Sequence, residues 1–256
     1  MFACPYCFSK LDDNLNCSCG YQGMIKDGIY HLHKYDDSWI ECEQQEQAHF
    51  KSIEWGKTNS NERTAGQTVT EEEIKRTAFV KKELQDTTLQ VLGNLEGKLF
   101  LDVGCSEGTT VAPFVSKAIV VGLDINEKLL HNAKNVIPMV VLGDGRFLPF
   151  TNETFDIVFD CASLHHFPDR KLLLNHIYRV LKPGGIYVSV GNPPCLQTQT
   201  EIEGAKIRQD WYWKMFGLIE IQPTKNDYEK DFRDLFGNFE FYSVAGDNSI
   251  MKGVKN

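Results

Sequence analysis

From residue 98 onward, short apolar runs alternate with segments whose apolar residues recur at helical spacing. The apolar runs are "KLFLDVG", "AIVVGLD", "PMVVLGD", "TFDIVFD" and "GIYVSVG", each of the length of a buried strand. The segments between them include "NEKLLHNAKNV", "DRKLLLNHIYRVL" and "GTTVAPFVSK", in which Pro113 is tolerable in the first turns of a helix. Strands that alternate with helices predict a doubly wound, mostly parallel α/β sheet with helices on both faces.

The pattern changes near residue 196, where aromatic residues become frequent. "IRQDWYWKMFGLIEIQ" is helical at first by its spacing, and "NDYEKDFRDLF" predicts the last helix. "FEFYSVAG" and "SIMKGV" are expected to pair as closing strands around a turn at residues 246–248. These two strands bring the expected sheet to seven strands.

Stretches of different character precede the alternating pattern. Residues 41–57 are polar with helical character, and residues 58–69 are rich in Asn, Ser, Thr and Gly, which predicts a mobile loop. A helix then begins with Thr70 and Glu73, which fit a capping box. We therefore divide the chain into an N-terminal cysteine-rich module at 1–40, helices at 41–97 and the α/β domain at 98–256, with a distinct segment near 196–236.

Composition narrows the class of protein. The 256 residues are 42% hydrophobic and 24% charged, as in globular proteins, and no apolar run is long enough to span a membrane. The first residues lack the basic stretch and apolar core of a secretory signal, so we expect a cytoplasmic, reducing compartment. The net charge is −8 without a run of Lys and Arg, which makes a nucleic-acid partner less expected.

Four of the eight cysteines lie in "ACPYCFSKLDDNLNCSCG" at residues 3–20. Two residues separate Cys4 from Cys7, and one residue separates Cys17 from Cys19. Two such knuckles provide four thiolates for a tetrahedral zinc ion. A site closed by four protein ligands has no open position, so we expect this zinc to stabilise folding and not to catalyse.

Other interpretations of these cysteines are open at this point. The single-residue gap in "CSC" is shorter than the common one, which leaves room for His31, His33 or Cys42 to replace one of its two cysteines as a ligand. Four reduced thiols packed as small hydrophobes would need no metal. A redox pair at "CPYC" is the third interpretation, although such pairs normally open a helix after a strand.

The predicted strand ends carry residues suited to bind a ligand, as expected at the carboxyl edge of such a sheet. Gly104 and Gly108 in "DVGCSEG" let a ligand approach the backbone closely. Asp124 ends "GLD", where a carboxylate can accept both hydroxyls of a ribose. Asp144 in "GDGRFLPF" is placed to accept a hydrogen bond from an adenine amino group. No lysine follows the first turn, so the turn does not predict a phosphate-cradling loop.

The motifs "LDVGCSEG", "GLD", "GDGRFLPF", "FDIVFDCASLHHFPD" and "RVLKPGG" occur in this order over residues 98–191. In this combination the chain resembles the class I S-adenosylmethionine-dependent methyltransferases of the group called methyltransferase type 11, which have a Rossmann-like fold. Ser106 departs from the family pattern, which often has a second glycine there. A nicotinamide-binding domain shares the first two features but does not explain the later motifs.

The resemblance implies which residues contact S-adenosylmethionine. At its methionine part, Asp102 and Gly104 would make contacts, with Gly108 in the same turn and Cys161 beside the methyl donor. The adenosine part would be held by Asp124 at the ribose, Ile125 against the adenine, and Asp144 with the backbone of Gly145 at the adenine edge.

The cysteine-rich module has a resemblance of its own. "CPYC" and "CSCGYQGMIKDGIYHL" are similar to the small zinc-ribbon modules, related to the Trm112-like domain, that precede some bacterial methyltransferases. The matching parts are the two knuckles, the glycine and aromatic pair after the second knuckle, and "DGI" at 27–29. This resemblance implies a structural Zn²⁺ in addition to S-adenosylmethionine.

Methyl transfer is an in-line displacement from a sulfonium, and a hydroxyl acceptor must also lose its proton. His165 and His166 in "LHHFPD" are candidate bases because of the pKa of imidazole, or they only line the pocket. Trp211, Tyr212 and Trp213 are candidate walls of the acceptor pocket, since this class often covers its substrate there. "GNPPC" at 191–195 follows the fifth strand, so we interpret it as a rigid exit turn and not as an amine-binding loop.

Three functions fit these features. The leading one is methylation of a small-molecule or glycan acceptor, with the zinc module shaping the entrance or a dimer contact. The alternative is an RNA base methyltransferase whose zinc module holds RNA, by similarity to ribosomal guanine methyltransferases. The third is a cofactor-binding regulator without catalysis.

Overall fold

The computed structural model of the chain describes residues 1–41, 43–48, 51, 71–167, 169–192, 199–216, 224–244 and 248–256. The α-helices with defined bounds are α1 (Glu71–Leu92), α2 (Glu127–Ala133), α3 (Arg170–Val180), α4 (Gln199–Phe216) and α5 (Lys225–Arg233). Residues 37–41 and 43–48 are also helical. The strands are β1 (Met24–Lys26), β2 (Ile29–His31), β3 (Leu99–Val103), β4 (Ile119–Asp124), β5 (Met139–Leu142), β6 (Phe155–Cys161), β7 (Leu181–Asn192), β8 (Asn238–Val244) and β9 (Asn248–Val254).

All these strands join one mixed sheet in the order β1-β2-β5-β4-β3-β6-β7-β9-β8. Strands β2 to β7 run parallel to one another, β1 pairs antiparallel with β2, and β9 pairs antiparallel with both β7 and β8. The strand order reverses next to β3, which lies between β4 and β6 in the sheet. The carboxyl ends of these three strands therefore frame the crevice where such sheets bind ligands. The predicted Rossmann-like architecture is thereby confirmed at the level of the fold.

The expected number of seven strands is wrong, because the described residues form nine. The additional pair is the hairpin β1–β2 of the cysteine-rich module. Strand β2 pairs parallel with β5, with Ile29 opposite Val140 and His31 opposite Leu142. This pairing joins residues that are more than a hundred positions apart in the chain. It covers an edge of the sheet that would otherwise present unpaired backbone N–H and C=O groups. The module is therefore continuous with the sheet of the α/β domain.

The two faces of the sheet bury separate apolar clusters, since alternate strand residues point to opposite faces. One face packs Leu101 and Val121 against Leu11 and Leu32 of the cysteine-rich module and against Leu174 of α3. The opposite face joins other strand residues to α1 and α2, through Phe100, Val120, Val140, Leu92 and Leu130. The module thus fills part of the core on the same face as α3.

Most of the predicted elements are present, and their ends have identifiable caps. Asn126 caps α2 by accepting from the backbone N–H groups of Lys128 and Leu129, and Asp169 caps α3 by accepting from Leu172. The helix α5 begins with a capping box between Thr224 and Asp227. The closing strands β8 and β9 pair as expected.

The helix predicted at 108–117 is wrong, because these residues form a series of turns. Pro113 has no N–H to donate to the preceding turn and disfavours a helical residue before it. Backbone bonds from Phe114 to Val111 and from Lys117 to Phe114 span three residues, as in isolated turns. The predicted capping residue Thr70, the loop at 58–69 and Pro193 to Cys195 of the predicted exit turn lie outside the described residues.

Helix α4 confirms that the aromatic-rich stretch begins as a helix. Among the residues that the structure describes, no helix combines the length and the apolar character needed to cross a bilayer.

Candidate functional site

The four N-terminal cysteines converge on one point. Their sulfur atoms all lie within 4.8 Å of one another. The Sγ atoms of Cys4 and Cys19 are 3.6 Å apart, and those of Cys7 and Cys17 are 3.4 Å apart. A tetrahedral zinc with bonds of about 2.3 Å separates its sulfurs by roughly 3.8 Å, whereas a disulfide needs about 2.0 Å. The arrangement therefore suits a metal ion and not a pair of disulfides.

The structure brings the sulfurs of both Cys17 and Cys19 into the cluster with those of Cys4 and Cys7. His33 instead stacks on Trp39 at 3.9 Å between ring centroids, and His31 lies 3.8 Å from the Glu127 carboxylate. Cys42 lies outside the described residues.

The turn after β3 contains three residues with a left-handed backbone. Gly104 and Gly108 have φ of 75° and 78°, and Ser106 between them has φ of 49°. A Cβ at Gly104 would overlap the side chain of Ser163, which follows β6, and a Cβ at Gly108 would lie 3.1 Å from Ile137. The turn is therefore held close to the neighbouring loops. The positive φ of Ser106 also explains why glycine suits this position.

Asp124 ties this turn to the end of β4. Its carboxylate accepts hydrogen bonds of 2.8 Å from the backbone N–H groups of Ser106 and Asn126. Burial raises its pKa to about 6, although these two donors oppose the shift. Ile125 follows it at the same edge and lines a cavity beside α2.

Two more carboxylates are buried at the same edge of the sheet. Asp102 and Asp160 are each 2% exposed. Burial raises the pKa of Asp102 well above its usual range, and the charges of Asp160 and Asp124 raise it further. Burial also raises the pKa of Asp160 to about 6 against hydrogen bonds from its neighbours, among them Tyr187. A cationic ligand at this edge would stabilise all three ionised carboxylates.

Asp144 occupies the end of β5 and is engaged by a neighbour. Its Oδ1 accepts from the backbone N–H of Arg146 at 2.8 Å, and its Oδ2 lies 3.0 Å from both the Nε and Nη2 of that arginine. The guanidinium also reaches Glu41 Oε2 at 3.1 Å and the carbonyl oxygen of Ser38 at 2.9 Å. The helical residues 37–41 are thereby connected to the strand edge.

A cavity of about 600 Å³ opens at this end of the sheet. It lies between the helical residues 43–48 and the start of α2, and Glu46, Gln47, Ile125 and Leu129 contribute to its walls. Glu46 also accepts a hydrogen bond of 3.1 Å from the Asn126 amide. Gly145, which follows the end of β5, is buried, and a Cβ there would approach the ring of Phe167 within 2.9 Å.

The residues predicted near the chemistry follow β6. Cys161 ends the strand, and burial raises the pKa of its thiol to about 12, so it is not a nucleophile at neutral pH. His165 and His166 form a short 3₁₀ turn, with ring centroids 4.0 Å apart. His165 is buried and His166 is partly buried. The structure thus brings both imidazoles to the edge that carries Asp160.

On α4, Trp211 and Trp213 are 37% and 56% exposed, and the side chain of Tyr212 lies outside the described residues. Their assignment as walls of an acceptor pocket stays a prediction.

Sequence reasoning missed Asp160, Arg146 and Glu41. Asp160 had a visible signal, because it is a charged residue inside the apolar run "IVFDC". Arg146 and Glu41 had none, since their pairing joins residues 105 positions apart.

Comparison with known proteins agrees with this geometry. Residues 101–189 match the family model described as a methyltransferase domain. The matched range contains β4 to β6, most of β3 and β7, and all the strand-end residues described above. Residues 101–189 are therefore similar to methyltransferase domains.

Curated relatives match less than half of the chain. The 27-O-demethylrifamycin SV methyltransferase of Amycolatopsis mediterranei (strain S699) is 32% identical over 140 residues, which is 46% of this chain and 52% of that protein. The mitochondrial arginine-hydroxylase NDUFAF5 of Danio rerio is 33% identical over 119 residues, which is 44% of this chain and 37% of that protein. The chain thus spans about half or less of the length of these relatives.

Solved structures share the fold. An S-adenosylmethionine-dependent methyltransferase from Mesorhizobium loti has a TM-score of 0.54 at 16% identity, covering 69% of this chain and all of that one. A complex of the Haloferax volcanii Trm112 methyltransferase activator with a methyltransferase has a TM-score of 0.55 at 17% identity, covering 71% of this chain and 93% of the matched one.

Proposed function

We propose that the chain is an S-adenosylmethionine-dependent methyltransferase that acts on a small-molecule or glycan acceptor. The proposal extends from the methyltransferase domain at 101–189 to the activity of the whole chain. The observation that carries it is the group of buried carboxylates Asp102, Asp124 and Asp160, which share the edge where such sheets bind ligands.

The proposed cofactor fits these carboxylates by its charge. S-adenosylmethionine carries a sulfonium and an α-ammonium group, and its ribose offers two hydroxyl donors. The Asp102 carboxylate accepts no hydrogen bond from any side chain or backbone in the described ranges. A buried carboxylate in that state either takes up a proton or pairs with a cation. A cationic ligand therefore satisfies a need that the folded chain leaves open.

When bound, S-adenosylmethionine supplies a methyl group that is electrophilic because it is attached to a sulfonium. The chain would hold the ribose at Asp124, whose carboxylate is already joined to the turn after β3 through Ser106. For a hydroxyl acceptor, His165 or His166 would take the acceptor proton while the acceptor oxygen forms its bond to the methyl carbon. The electron pair of the broken carbon–sulfur bond stays on sulfur.

The acceptor class rests on charge and on one relative. The relative from Amycolatopsis mediterranei is named for methylation of a small molecule. The net charge of −8 opposes binding to a polyanion. RNA methylation, with the cysteine-rich module as an RNA-binding element, is the alternative that the experiment below separates.

The test uses S-adenosylmethionine with a deuterated methyl group and cell extract separated into small-molecule, glycan and RNA fractions. We expect mass spectrometry to find the labelled methyl group in a small molecule or glycan. The variant D124A, which lacks the proposed ribose ligand, serves as the inactive control. Label that appears only in RNA would favour the alternative, and label in no fraction would contradict transferase activity.

Because one relative is named arginine-hydroxylase, a protein fraction of the same extract is analysed as well. A protein fraction whose arginine gains one oxygen atom and no labelled methyl group would indicate hydroxylation on this fold.

We also propose that Cys4, Cys7, Cys17 and Cys19 bind one structural Zn²⁺, on the basis of their sulfur separations.

A further inference from the structure

We propose that Arg146 is a positioning residue through which the N-terminal helical residues set the affinity and adenine preference of the cofactor site. Arg146 is 7% exposed and follows directly on the strand end that carries Asp144 and Gly145. The inference rests on the proposed function, because it assigns the adenine to this strand end.

The first step is the contact between Arg146 and Asp144. Arg146 presents its backbone N–H, its Nε and its Nη2 to the two carboxylate oxygens, at distances from 2.8 to 3.3 Å. An ionised carboxylate has about four acceptor positions, so Arg146 alone occupies most of them. A planar guanidinium that binds in this way fixes the carboxylate in one orientation. The geometry of Asp144 is therefore set by Arg146.

The second step connects Arg146 to the N-terminal residues. The Nη1 of Arg146 donates to Glu41, and Nη2 donates to the carbonyl oxygen of Ser38. Trp39 lies between these two residues and stacks on His33, which immediately follows Leu32 of the module core. A continuous series of contacts thus leads from the cysteine-rich module through residues 38–41 to Asp144.

These contacts constrain the guanidinium from both sides. Glu41 has a side chain that is 54% exposed, so its ion pair alone stabilises little. Its effect on the site comes from limiting the orientations of Arg146, which is itself buried. Lysine at position 146 could not make these contacts together, because an ammonium lacks the planar fork of guanidinium.

The experiment measures binding of S-adenosylhomocysteine by calorimetry to the full chain and to R146M, E41Q and R170M. The R170M control removes another partly buried ion pair, that of Arg170 with Asp231 at 3.0 Å between α3 and α5. We expect R146M to weaken binding at least about tenfold and E41Q about threefold, where tenfold corresponds to about 1.4 kcal/mol. The R170M variant should bind like the wild type.

A second ligand distinguishes positioning from general support of the fold. S-inosylhomocysteine replaces the adenine amino group by a carbonyl oxygen, so an oriented Asp144 should reject it. We expect the preference for the adenine compound to fall in R146M and to be partly retained in R146K. In the double variant E41Q/R146M, loss of Glu41 should cost nothing further, because it acts through Arg146.

The outcomes are distinguishable. If the wild type binds S-adenosylhomocysteine and both E41Q and R146M bind it equally well, the inference is wrong and the proposed function stands. Equal weakening of both ligands would also overturn the inference, because it would show a structural role. If R146M does not fold, E41Q and R146K still decide the question. A wild type that binds neither ligand would overturn the proposed function and the inference together.

Discussion

The backbone N–H of Ser106 lies 2.8 Å from Oδ2 of Asp124 and joins the turn after β3 to the end of β4. Asp124 accepts a second bond from Asn126 through Oδ1, so both of its oxygens hold the backbone of flanking turns. The Asp124 carboxylate, which we propose binds the ribose, is therefore held in place before the cofactor binds. Such preorganisation reduces the entropy that is lost on binding.

Replacing Asp124 by Asn tests its role. Asparagine retains one acceptor oxygen but loses the charge and the second acceptor, so we expect S-adenosylhomocysteine to bind at least about tenfold more weakly by calorimetry. The matched control is D156N, at the opposite end of β6, where Asp156 pairs with Lys182. That variant should change stability and leave affinity alone. An unchanged affinity in D124N would exclude a ribose contact.

The buried carboxylates predict how binding depends on pH. Burial raises the pKa of Asp124 and of Asp160 to about 6. The folded, ligand-free chain therefore holds more protons than the unfolded chain between about pH 4 and 6, so its stability should fall as pH rises through this window. A cationic ligand favours the ionised carboxylates, so its affinity should rise over the same window.

Calorimetry of S-adenosylmethionine binding between pH 5 and 7.5 checks both signs when it is combined with thermal unfolding. We expect several-fold tighter binding at the upper end. The variant D160N should flatten the pH profile because it removes one titrating group. A profile that is flat in the wild type would mean that these carboxylates do not face the cationic groups of the ligand.

The cysteine cluster predicts one zinc ion per chain. Substitution of either Cys17 or Cys19 by serine should lower the zinc content and the melting temperature, because binding of a structural metal contributes to folding. The control is C105A, since Cys105 is a buried thiol outside the cluster. Metal content is measured by inductively coupled plasma mass spectrometry. Full zinc content in C19S would show that the shorter knuckle provides only one ligand.

The sequence allowed the α/β domain to be predicted because its signals are local. Apolar runs that end in Gly or Asp marked β3, β4 and β5, and helix caps such as Asn126 and Asp169 lie directly before their helices. The pairing of β2 with β5 has no such signal, because the partners are far apart in the chain. For that reason the sequence predicted seven strands, whereas the sheet has nine.

The helix that was wrongly predicted and the contacts that were missed have different physical origins. The spacing of Val111, Phe114 and Val115 suits a helix, but Pro113 limits this segment to turns. The strand-end carboxylates could be predicted because each follows its own strand. The partner of Asp144 was missed, since the importance of Arg146 depends on contacts with Glu41 and Ser38 that only the folded chain brings together.

The two histidines after β6 provide a test of general-base catalysis. If His165 or His166 removes the acceptor proton, its replacement by alanine should lower turnover by about a hundredfold or more and leave S-adenosylhomocysteine affinity intact. The control is H176A, because His176 lies on α3, does not line the cavity and packs against Phe8. Turnover is followed with the acceptor found by the labelling assay. Normal turnover in both variants would remove them from the mechanism.

The last prediction concerns the support of Asp160. The Tyr187 hydroxyl donates to Asp160 at 2.7 Å, and both residues are buried. Since this donation lowers the pKa of Asp160, the variant Y187F should raise that pKa further and destabilise the fold by about 1–3 kcal/mol at neutral pH. The loss should shrink below about pH 5, where Asp160 is protonated in both proteins. Denaturant unfolding at neutral pH and below about pH 5 measures this loss of stability. The control is Y242F, because Tyr242 donates to the more exposed Glu240 on β8. An equal loss at both pH values would show that the effect comes from packing and not from the carboxylate.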